Sequence, residues 1–176
     1  MKKLAIIVLC LIMLLPLAGC TEGEPQNHAA IEKPAAPKNG VYVVGEHIPF
    51  DSVTDFYYTI YATTFPPHYQ RYRFFVEDGA YKFFHETREG DHLPLTESDA
   101  TVSETIPLNK EQWQAFLDCV AGGTVIARQE HLESGDSGPW LYLYWTGDPG
   151  DVQEFEFASV NARFSFEALC EQLRGA

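Results

Sequence analysis

Five side chains that can bind a metal ion fall within eight residues of the chain. They are two imidazoles and three carboxylates: His85, Glu86, Glu89, Asp91 and His92. Neutral imidazole and carboxylate oxygens suit Zn²⁺ or Mn²⁺, and such an ion can activate water for hydrolysis. The spacing differs from the H-E-x-x-H pattern of zinc hydrolases, and Arg88 lies in the middle of the group. A solvated loop at the end of a hairpin accounts for the same residues. A metal-assisted hydrolase with His85, Glu89, Asp91 and His92 as ligands is therefore kept as an alternative function.

A second segment places a serine between small residues. Gly135-Asp136-Ser137-Gly138-Pro139 resembles the G-D-S-G-G-P segment around the nucleophile of trypsin-like serine proteases, but one glycine is missing. A catalytic triad also needs a positioned histidine and aspartate, and the upstream histidine segment of that family has no counterpart in this chain. Glycine, proline and short polar residues are typical of turns. The segment predicts a connection between strands.

Tyrosine and cationic side chains recur at two- and four-residue intervals within several segments. Residues at even spacing on a β-strand project to one side of the sheet. Tyrosine rings stack and donate hydrogen bonds, and an arginine guanidinium does both while matching a carboxylate. We predict a binding surface, called here the Tyr/Arg face, formed by Tyr57, Tyr61, Arg71, Arg73, Lys82, Tyr142 and Tyr144. Its expected ligand is a small molecule, a glycan or a protein. The alternatives are that these side chains only stabilise a solvated sheet through cross-strand pairs, or that a long loop covers this side of the sheet.

Alternation of apolar and polar residues predicts the strands that carry this face. The pattern is clearest in residues 55–63 and 71–77. Asp78-Gly79 follows directly, and this dipeptide favours a two-residue hairpin because both turn positions need positive φ. The returning strand is expected over 80–86. Further strands are predicted at 101–106, 124–131, 140–146 and 152–158.

Two amphipathic helices are expected between and after these strands. Asn109 and Gln112 form a capping box ahead of an apolar stripe of Trp113, Phe116, Leu117 and Val120. A second helix is predicted from Val160 or Ser165 to Leu173. Each helix has one apolar face, so both must cover a sheet. The predicted fold class is α+β, an antiparallel β-sheet with two α-helices packed on one face.

Composition excludes several classes of protein. Hydrophobic residues make up 45% and aromatic residues 14% of the 176 residues, which is enough for a packed core. The formal charge of −13 argues against nucleic acid and against an anionic lipid surface as partner. The four cysteines contain no C-x-x-C pair of the kind found in zinc sites. We expect no cofactor.

The N-terminal residues resemble an export signal. Lys2 and Lys3 precede an apolar run from Leu4 to Leu15, and Pro16 separates that run from Leu17-Ala18-Gly19-Cys20. This order of charge, apolar run, small residues and cysteine is similar to the lipobox of bacterial lipoproteins. The resemblance implies that signal peptidase II cuts before Cys20 and that a diacylglycerol is joined to its sulfur, with palmitate as a suitable label.

The resemblance sets the expected domain organisation. Residues 1–19 are a lipoprotein signal peptide, 20–40 are the lipidated cysteine and a flexible linker rich in proline and alanine, and 41–176 are one globular domain. Cys119 and Cys170 remain as thiols, either bonded or free. The expected function is that of a small bacterial lipoprotein, anchored to the cell membrane on its extracytoplasmic side. It is expected to bind a ligand or protein without catalysis. The alternatives are the metal-assisted hydrolase and an accessory or inhibitory subunit of a membrane complex.

Overall fold

The computed structural model describes residue 37 and residues 39–127, 138–150 and 153–175. The elements in chain order are β1 Tyr42–Val43, β2 Val53–Ala62, β3 His68–Glu77, β4 Ala80–Glu89, β5 Ala100–Pro107, α1 Lys110–Val120, β6 Thr124–Ala127, β7 Trp140–Trp145, β8 Gln153–Glu156 and α2 Val160–Arg174. Short 3₁₀ turns lie at Phe50–Ser52 and Glu97–Asp99. The expected signal peptide, the lipidation site Cys20 and most of the linker lie outside the described residues. Within the described part of the chain, neither helix has the length and apolar character needed to cross a membrane.

All eight strands form one antiparallel sheet. Their spatial order is β1-β6-β8-β7-β2-β3-β4-β5. The apolar faces of the two helices pack against one side of this sheet. The predicted α+β class is therefore confirmed. The central strands β2, β3 and β4 are each ten residues long. They lie next to one another in the sheet.

The turn between β3 and β4 has the geometry expected from its sequence. Asp78 has φ of 52° and Gly79 has φ of 75°, while Glu77 pairs with Ala80 across the turn. Positive φ at both central positions is the property of a type I′ turn. This turn fixes the register of the two strands that carry most of the charged side chains described below.

Hydrogen-bonded caps define where both helices begin. The Asn109 side chain accepts from the backbone N–H of Gln112 at 2.8 Å, and the Gln112 side chain accepts from the backbone N–H of Asn109 at 2.9 Å. This is the predicted capping box of α1. Helix α2 begins at Val160 rather than Ser165, because Ser159 caps it by accepting from Ala162 N–H at 3.1 Å.

Aromatic side chains fill the layer between the helices and the sheet. Phe74 of β3 stacks on Phe116 of α1 with ring centroids 4.3 Å apart and planes 6° apart. Phe166 of α2 is fully buried and contacts the rings of Phe56 and Phe74. Trp113, whose exposure is 5%, stacks on Tyr81 at 4.6 Å.

Two buried tyrosines attach α2 to the sheet by polar contacts. The Tyr58 hydroxyl donates to Glu167 at 2.5 Å, and the Tyr72 hydroxyl donates to Glu171 at 2.8 Å. Burial is the main reason why the pKa of Tyr58 is raised, and its hydrogen bond to Glu167 raises it further. Burial also acts to raise the pKa of Glu167, but hydrogen bonds from Tyr58 and Arg163 outweigh it and lower that pKa. These contacts hold the core-facing side of the sheet in a fixed position relative to α2.

Candidate ligand-binding face

The side of the sheet that faces away from the helices carries the predicted Tyr/Arg face. Tyr57 of β2 lies opposite Arg73 of β3 on one side and opposite Tyr142 of β7 on the other. Arg71 of β3 lies opposite Thr59 of β2 and Glu86 of β4. All seven predicted side chains are half-buried. Strand register alone therefore places residues from distant parts of the sequence next to one another.

Two adjoining clefts occupy this face. The polar cleft, of about 720 Å³, lies over β3, β4 and β5, and the residues that line it include Arg71, Arg73, Phe75, Glu77, Lys82, Phe84, Glu86, Arg88, Glu97 and Thr105. The tyrosine cleft, of about 480 Å³, lies over β2 and β7 and is lined by Thr54, Asp55, Tyr57, Thr59, Arg71, Tyr142 and Tyr144. Both volumes fall in the usual range for small-ligand sites. Tyr57 and Arg71 line both clefts and form the boundary between them.

Arg73 is held in place by a carboxylate and two rings. Its Nε donates to Asp55 Oδ1 at 2.9 Å and its second guanidinium nitrogen donates to Asp55 Oδ2 at 2.5 Å. The guanidinium carbon lies 4.9 Å from the centroid of the Tyr57 ring and 4.4 Å from that of Phe75. The hydrogen bond to Asp55 raises the pKa of Arg73. Bidentate pairing and stacking on the two rings fix the position of this side chain, and the Asp55 carboxylate balances its charge.

The next two cations of the polar cleft also have carboxylate partners. Lys82 forms an ion pair with Glu77, and this contact lowers the pKa of Glu77. Arg88 Nε donates to Glu86 Oε1 at 2.7 Å, with both side chains largely shielded from solvent. The Arg88 guanidinium also lies 4.5 Å from the centroid of the Tyr69 ring. Neither cation brings unbalanced charge to the cleft.

Arg71 is different, because no carboxylate among the described residues forms an ion pair with it. Its Nε is buried and has no hydrogen-bond partner within the described part of the chain, and the same holds for the buried hydroxyl of Tyr69. The Arg71 guanidinium lies 5.4 Å from the centroid of the Tyr69 ring. Burial raises the pKa of Tyr69, and the charge of Arg71 opposes that rise. The two groups are near enough for a hydrogen bond from Arg71 to act against the rise in the pKa of Tyr69 as well, but neither Arg71 Nε nor the Tyr69 hydroxyl has a partner of good geometry among the described residues.

Tyr57 and Tyr144 give the tyrosine cleft its aromatic wall. Their rings meet edge to face with centroids 6.2 Å apart. The Tyr57 hydroxyl donates to Asp55 Oδ2 at 3.4 Å. Burial is the main cause of the raised pKa of Tyr57, and the charge of Asp55 adds to it. The cleft combines ring surfaces with hydroxyl groups, as sites for planar polar ligands do.

Six of the seven predicted residues line one of these two clefts, and Tyr61 lines neither. Its hydroxyl accepts from the backbone N–H of Leu95 at 3.0 Å, and its ring meets Tyr69 edge to face at 6.0 Å. Tyr61 therefore holds the connection between β4 and β5 against the sheet, and its part in ligand binding stays a prediction.

Sequence reasoning missed Asp55, Tyr69 and Arg88. Arg88 was overlooked because the strand was predicted to end at residue 86, whereas β4 continues to Glu89. Extending the alternation of Lys82, Phe84 and Glu86 by two residues would have identified it. Asp55 lies two residues before Tyr57 on β2, and Tyr69 lies two residues before Arg71 on β3. The same alternation therefore places both side chains on the Tyr/Arg face.

The proposed metal-ligand group is not gathered at one point. His85 and Glu89 belong to β4 rather than to a loop, so that expectation is corrected. The His85 side chain is buried on the helix-facing side against the ring of Tyr72, 5.3 Å away. His92 lies in the connection to β5 and approaches Asp99 at 3.3 Å. Among the described residues, no three His, Cys, Asp or Glu side chains are placed to hold a metal ion together.

The remaining candidate segments are placed as follows. Cys119 and Cys170 are both free thiols, the first half-buried and the second fully buried. Burial raises the pKa of each thiol. Of the serine-containing segment, residues 135–137 lie outside the described residues, and Pro139 directly precedes β7.

Comparisons of this chain with models of protein families, with curated proteins and with solved structures found no match.

Proposed function

We propose that this protein is a non-enzymatic binding module anchored to the extracytoplasmic side of the cell membrane, and that the Tyr/Arg face is its ligand-binding surface. The observation that supports this most directly is that two ligand-sized clefts adjoin on one side of the sheet and share Tyr57 and Arg71. The side chains come from rigid strands, so the site needs no loop to become ordered before binding. A preformed site loses less entropy when a ligand binds.

The electrostatic arrangement of the face supports binding in preference to catalysis. Arg73 and Arg88 are each paired with a carboxylate. Their role is therefore to hold neighbouring side chains in position. A phenol is ordinarily protonated near neutral pH, and the pKa values of Tyr57 and Tyr69 are raised further by burial, so both hydroxyls remain hydrogen-bond donors. Stable donors and fixed rings suit recognition.

Binding is tested by screening a library of small molecules and glycans against the purified full chain, with ligand-observed NMR as the readout. We expect compounds whose binding is lost in the Tyr57→Ala/Tyr144→Ala variant. Gln114→Ala, a substitution on the exposed side of α1, is the matched control and should leave binding unchanged. The proposal fails if no compound binds, or if every binder is retained by the double variant.

The proposed anchor is tested separately at Cys20. Cells are labelled with palmitate, and the wild-type chain is compared with Cys20→Ser by label incorporation, membrane fractionation and mature mass. We expect the label and membrane retention to be lost in the variant. Labelling that persists in Cys20→Ser would contradict the lipid anchor while leaving the binding face intact.

A second candidate function, an accessory or inhibitory subunit of a membrane complex, is favoured by one observation. Strand β5 is the last strand of the sheet on its side and is eight residues long, with its side chains mostly exposed. An exposed edge of this length can pair with an added strand from another protein. Crosslinking from an introduced cysteine at Ser103 in intact membranes tests this, and a crosslink to one membrane protein would support it.

A further inference from the structure

We infer that the ligand of the Tyr/Arg face is a ring-containing molecule with a single carboxylate. The carboxylate binds Arg71 and the ring lies in the tyrosine cleft against Tyr57 and Tyr144. This inference rests on the proposed function and adds the chemical class of the ligand.

The first step of the argument is the charge balance of the polar cleft. Four cations line it, Arg71, Arg73, Lys82 and Arg88, and three of them are paired, with Asp55, Glu77 and Glu86. Glu86 is the cross-strand neighbour of Arg71, yet its carboxylate is engaged by Arg88. Arg71 is therefore the cation of this cleft that forms no ion pair with a described residue, although the carboxylate of Glu97 also lines the cleft. A guanidinium recognises a carboxylate or a phosphate through two parallel N–H···O bonds, and a carboxylate matches it with a single negative charge.

The second step is the pair of neighbouring buried groups at Arg71. Arg71 Nε and the Tyr69 hydroxyl have no hydrogen-bond partner of good geometry among the described residues. A buried donor without an acceptor is costly and is rare in folded proteins. A carboxylate at Arg71 brings an anionic acceptor close to this pair, and a neutral ligand does not.

The third step is the position of Arg71 between the clefts. On one side of it lie the rings of Tyr57, Tyr142 and Tyr144, and on the other side lie the ion pairs of the polar cleft. A ring bonded to a carboxylate can stack in the tyrosine cleft while its charge meets the guanidinium. The tyrosine cleft, about 480 Å³ in volume, has room for a ring with substituents.

The fourth step excludes a ligand with several negative charges. The chain carries a formal charge of −13, and the polar cleft contains the carboxylates of Glu77, Glu86 and Glu97. Among the described residues, Arg71 is the cation of this cleft without an ion-pair partner, so one carboxylate is matched and further anionic groups meet repulsion. Nucleic acids and other polyanions therefore do not fit this surface.

The test compares three probes on the isotope-labelled full chain by chemical-shift titration. Benzoate carries a ring and a carboxylate, benzamide is its neutral counterpart, and acetate is the carboxylate alone. We expect benzoate to bind about tenfold more tightly than either of the others, because a charge-assisted bidentate contact is about that much stronger than a neutral one. The shifted signals should be those of β2, β3 and β7.

Arg71→Met and Lys110→Met each remove one positive charge, so comparing them separates the effect of the site from that of the net charge. Arg71→Met should abolish the preference for benzoate over benzamide, and Arg71→Lys should retain only part of it. Lys110→Met, at an exposed position on α1, should leave the preference unchanged. Far-UV circular dichroism and the unfolding midpoint of each variant establish that it is folded.

The outcomes distinguish the inference from the proposed function. If benzamide shifts the same residues as benzoate with equal affinity, the carboxylate class is wrong while the binding face stands. If the preference for benzoate survives Arg71→Met, or maps to other residues, the inference is overturned. If no probe perturbs the Tyr/Arg face, the inference also fails, and the library screen alone decides the proposed function.

Discussion

The pairing of Arg73 with Asp55 can be tested by removing one negative charge from the Tyr/Arg face. In Asp55→Asn the side chain keeps its shape and one acceptor oxygen, so the Tyr57 hydroxyl keeps a partner. The Arg73 guanidinium loses its counter-charge but remains stacked between Tyr57 and Phe75. The substitution should therefore weaken the fold and, at the same time, provide a second available cation beside Arg71.

The structure sets the size of both effects. Hydrogen bonds to charged groups contribute about 1.5–3 kcal/mol when shielded, and the side chains of Arg73 and Asp55 are 34% and 20% exposed. After allowance for solvent screening, we expect a loss of about 1–2 kcal/mol in the free energy of unfolding, or a midpoint roughly 3–8 °C lower. A second unpaired charge a few ångströms from the carboxylate should raise benzoate affinity about three- to tenfold.

Thermal unfolding and benzoate titration measure these two quantities on the same preparation. Glu111→Gln is the control, since it removes one negative charge from the exposed side of α1 and leaves the face unchanged. If Asp55→Asn gains no more benzoate affinity than Glu111→Gln, pairing with Asp55 is not what prevents Arg73 from binding a carboxylate. The reasoning that singles out Arg71 is then wrong. If its unfolding midpoint equals that of the wild type, the Arg73–Asp55 contact contributes nothing to stability.

Three further predictions concern the packing of the helices. Trp113→Ala should cost about 3–5 kcal/mol in denaturant unfolding, as truncation of a buried aromatic does, and an unchanged midpoint would show that the stacking on Tyr81 is not stabilising. Tyr58→Phe should cost about 1–2 kcal/mol, and a double-mutant cycle with Glu167→Gln should give a coupling energy well above zero, since the two side chains share a hydrogen bond. Because the folded pKa of Glu167 lies below its unfolded value of about 4.5, its contribution is fully present above that pH and is lost as pH falls through the lower folded pKa. Wild-type stability should therefore fall more steeply than that of Glu167→Gln on acidification below about pH 4.5, and parallel pH profiles would contradict this.

The parts of the fold that were predicted correctly are those encoded locally. The Asp78-Gly79 turn and the Asn109 capping box each depend on a few consecutive residues, and both have the expected geometry. Alternation also placed most of the Tyr/Arg face on one side of the sheet. These signals need no knowledge of which strands are neighbours.

The end of β4 was mispredicted because its core-facing positions are polar. His85 and Thr87 occupy positions where alternation would show apolar residues, so the pattern ends too early. Both side chains are buried, and Thr87 Oγ1 lies 3.1 Å from His85 Nε2. Burial and the charge of Arg174 lower the pKa of His85, which keeps the imidazole neutral in the core. Such compensation by a distant helix cannot be detected in the sequence of one strand.

The identity of the unpaired cation was equally beyond a reading of the sequence. Arg71 and Arg73 lie two residues apart on β3 and point to the same side, so periodicity treats them alike. They differ because Arg73 lies beside Tyr57, within reach of Asp55, whereas the nearest carboxylate across from Arg71 is already bound to Arg88. That difference arises from the order and register of β2, β3 and β4, which depend on long-range pairing.

The ion pairs that surround Arg71 also determine how it can act. A single arginine on an open sheet would be mobile and fully hydrated, and ordering it would cost side-chain entropy when a ligand binds. Here the Tyr69 ring lies beside its guanidinium, and Arg73 is clamped two residues along the same strand. The paired residues thus contribute rigidity, and the unpaired one contributes charge. A face built in this way favours one anionic group at one position, which is the selectivity that the benzoate and benzamide titrations measure.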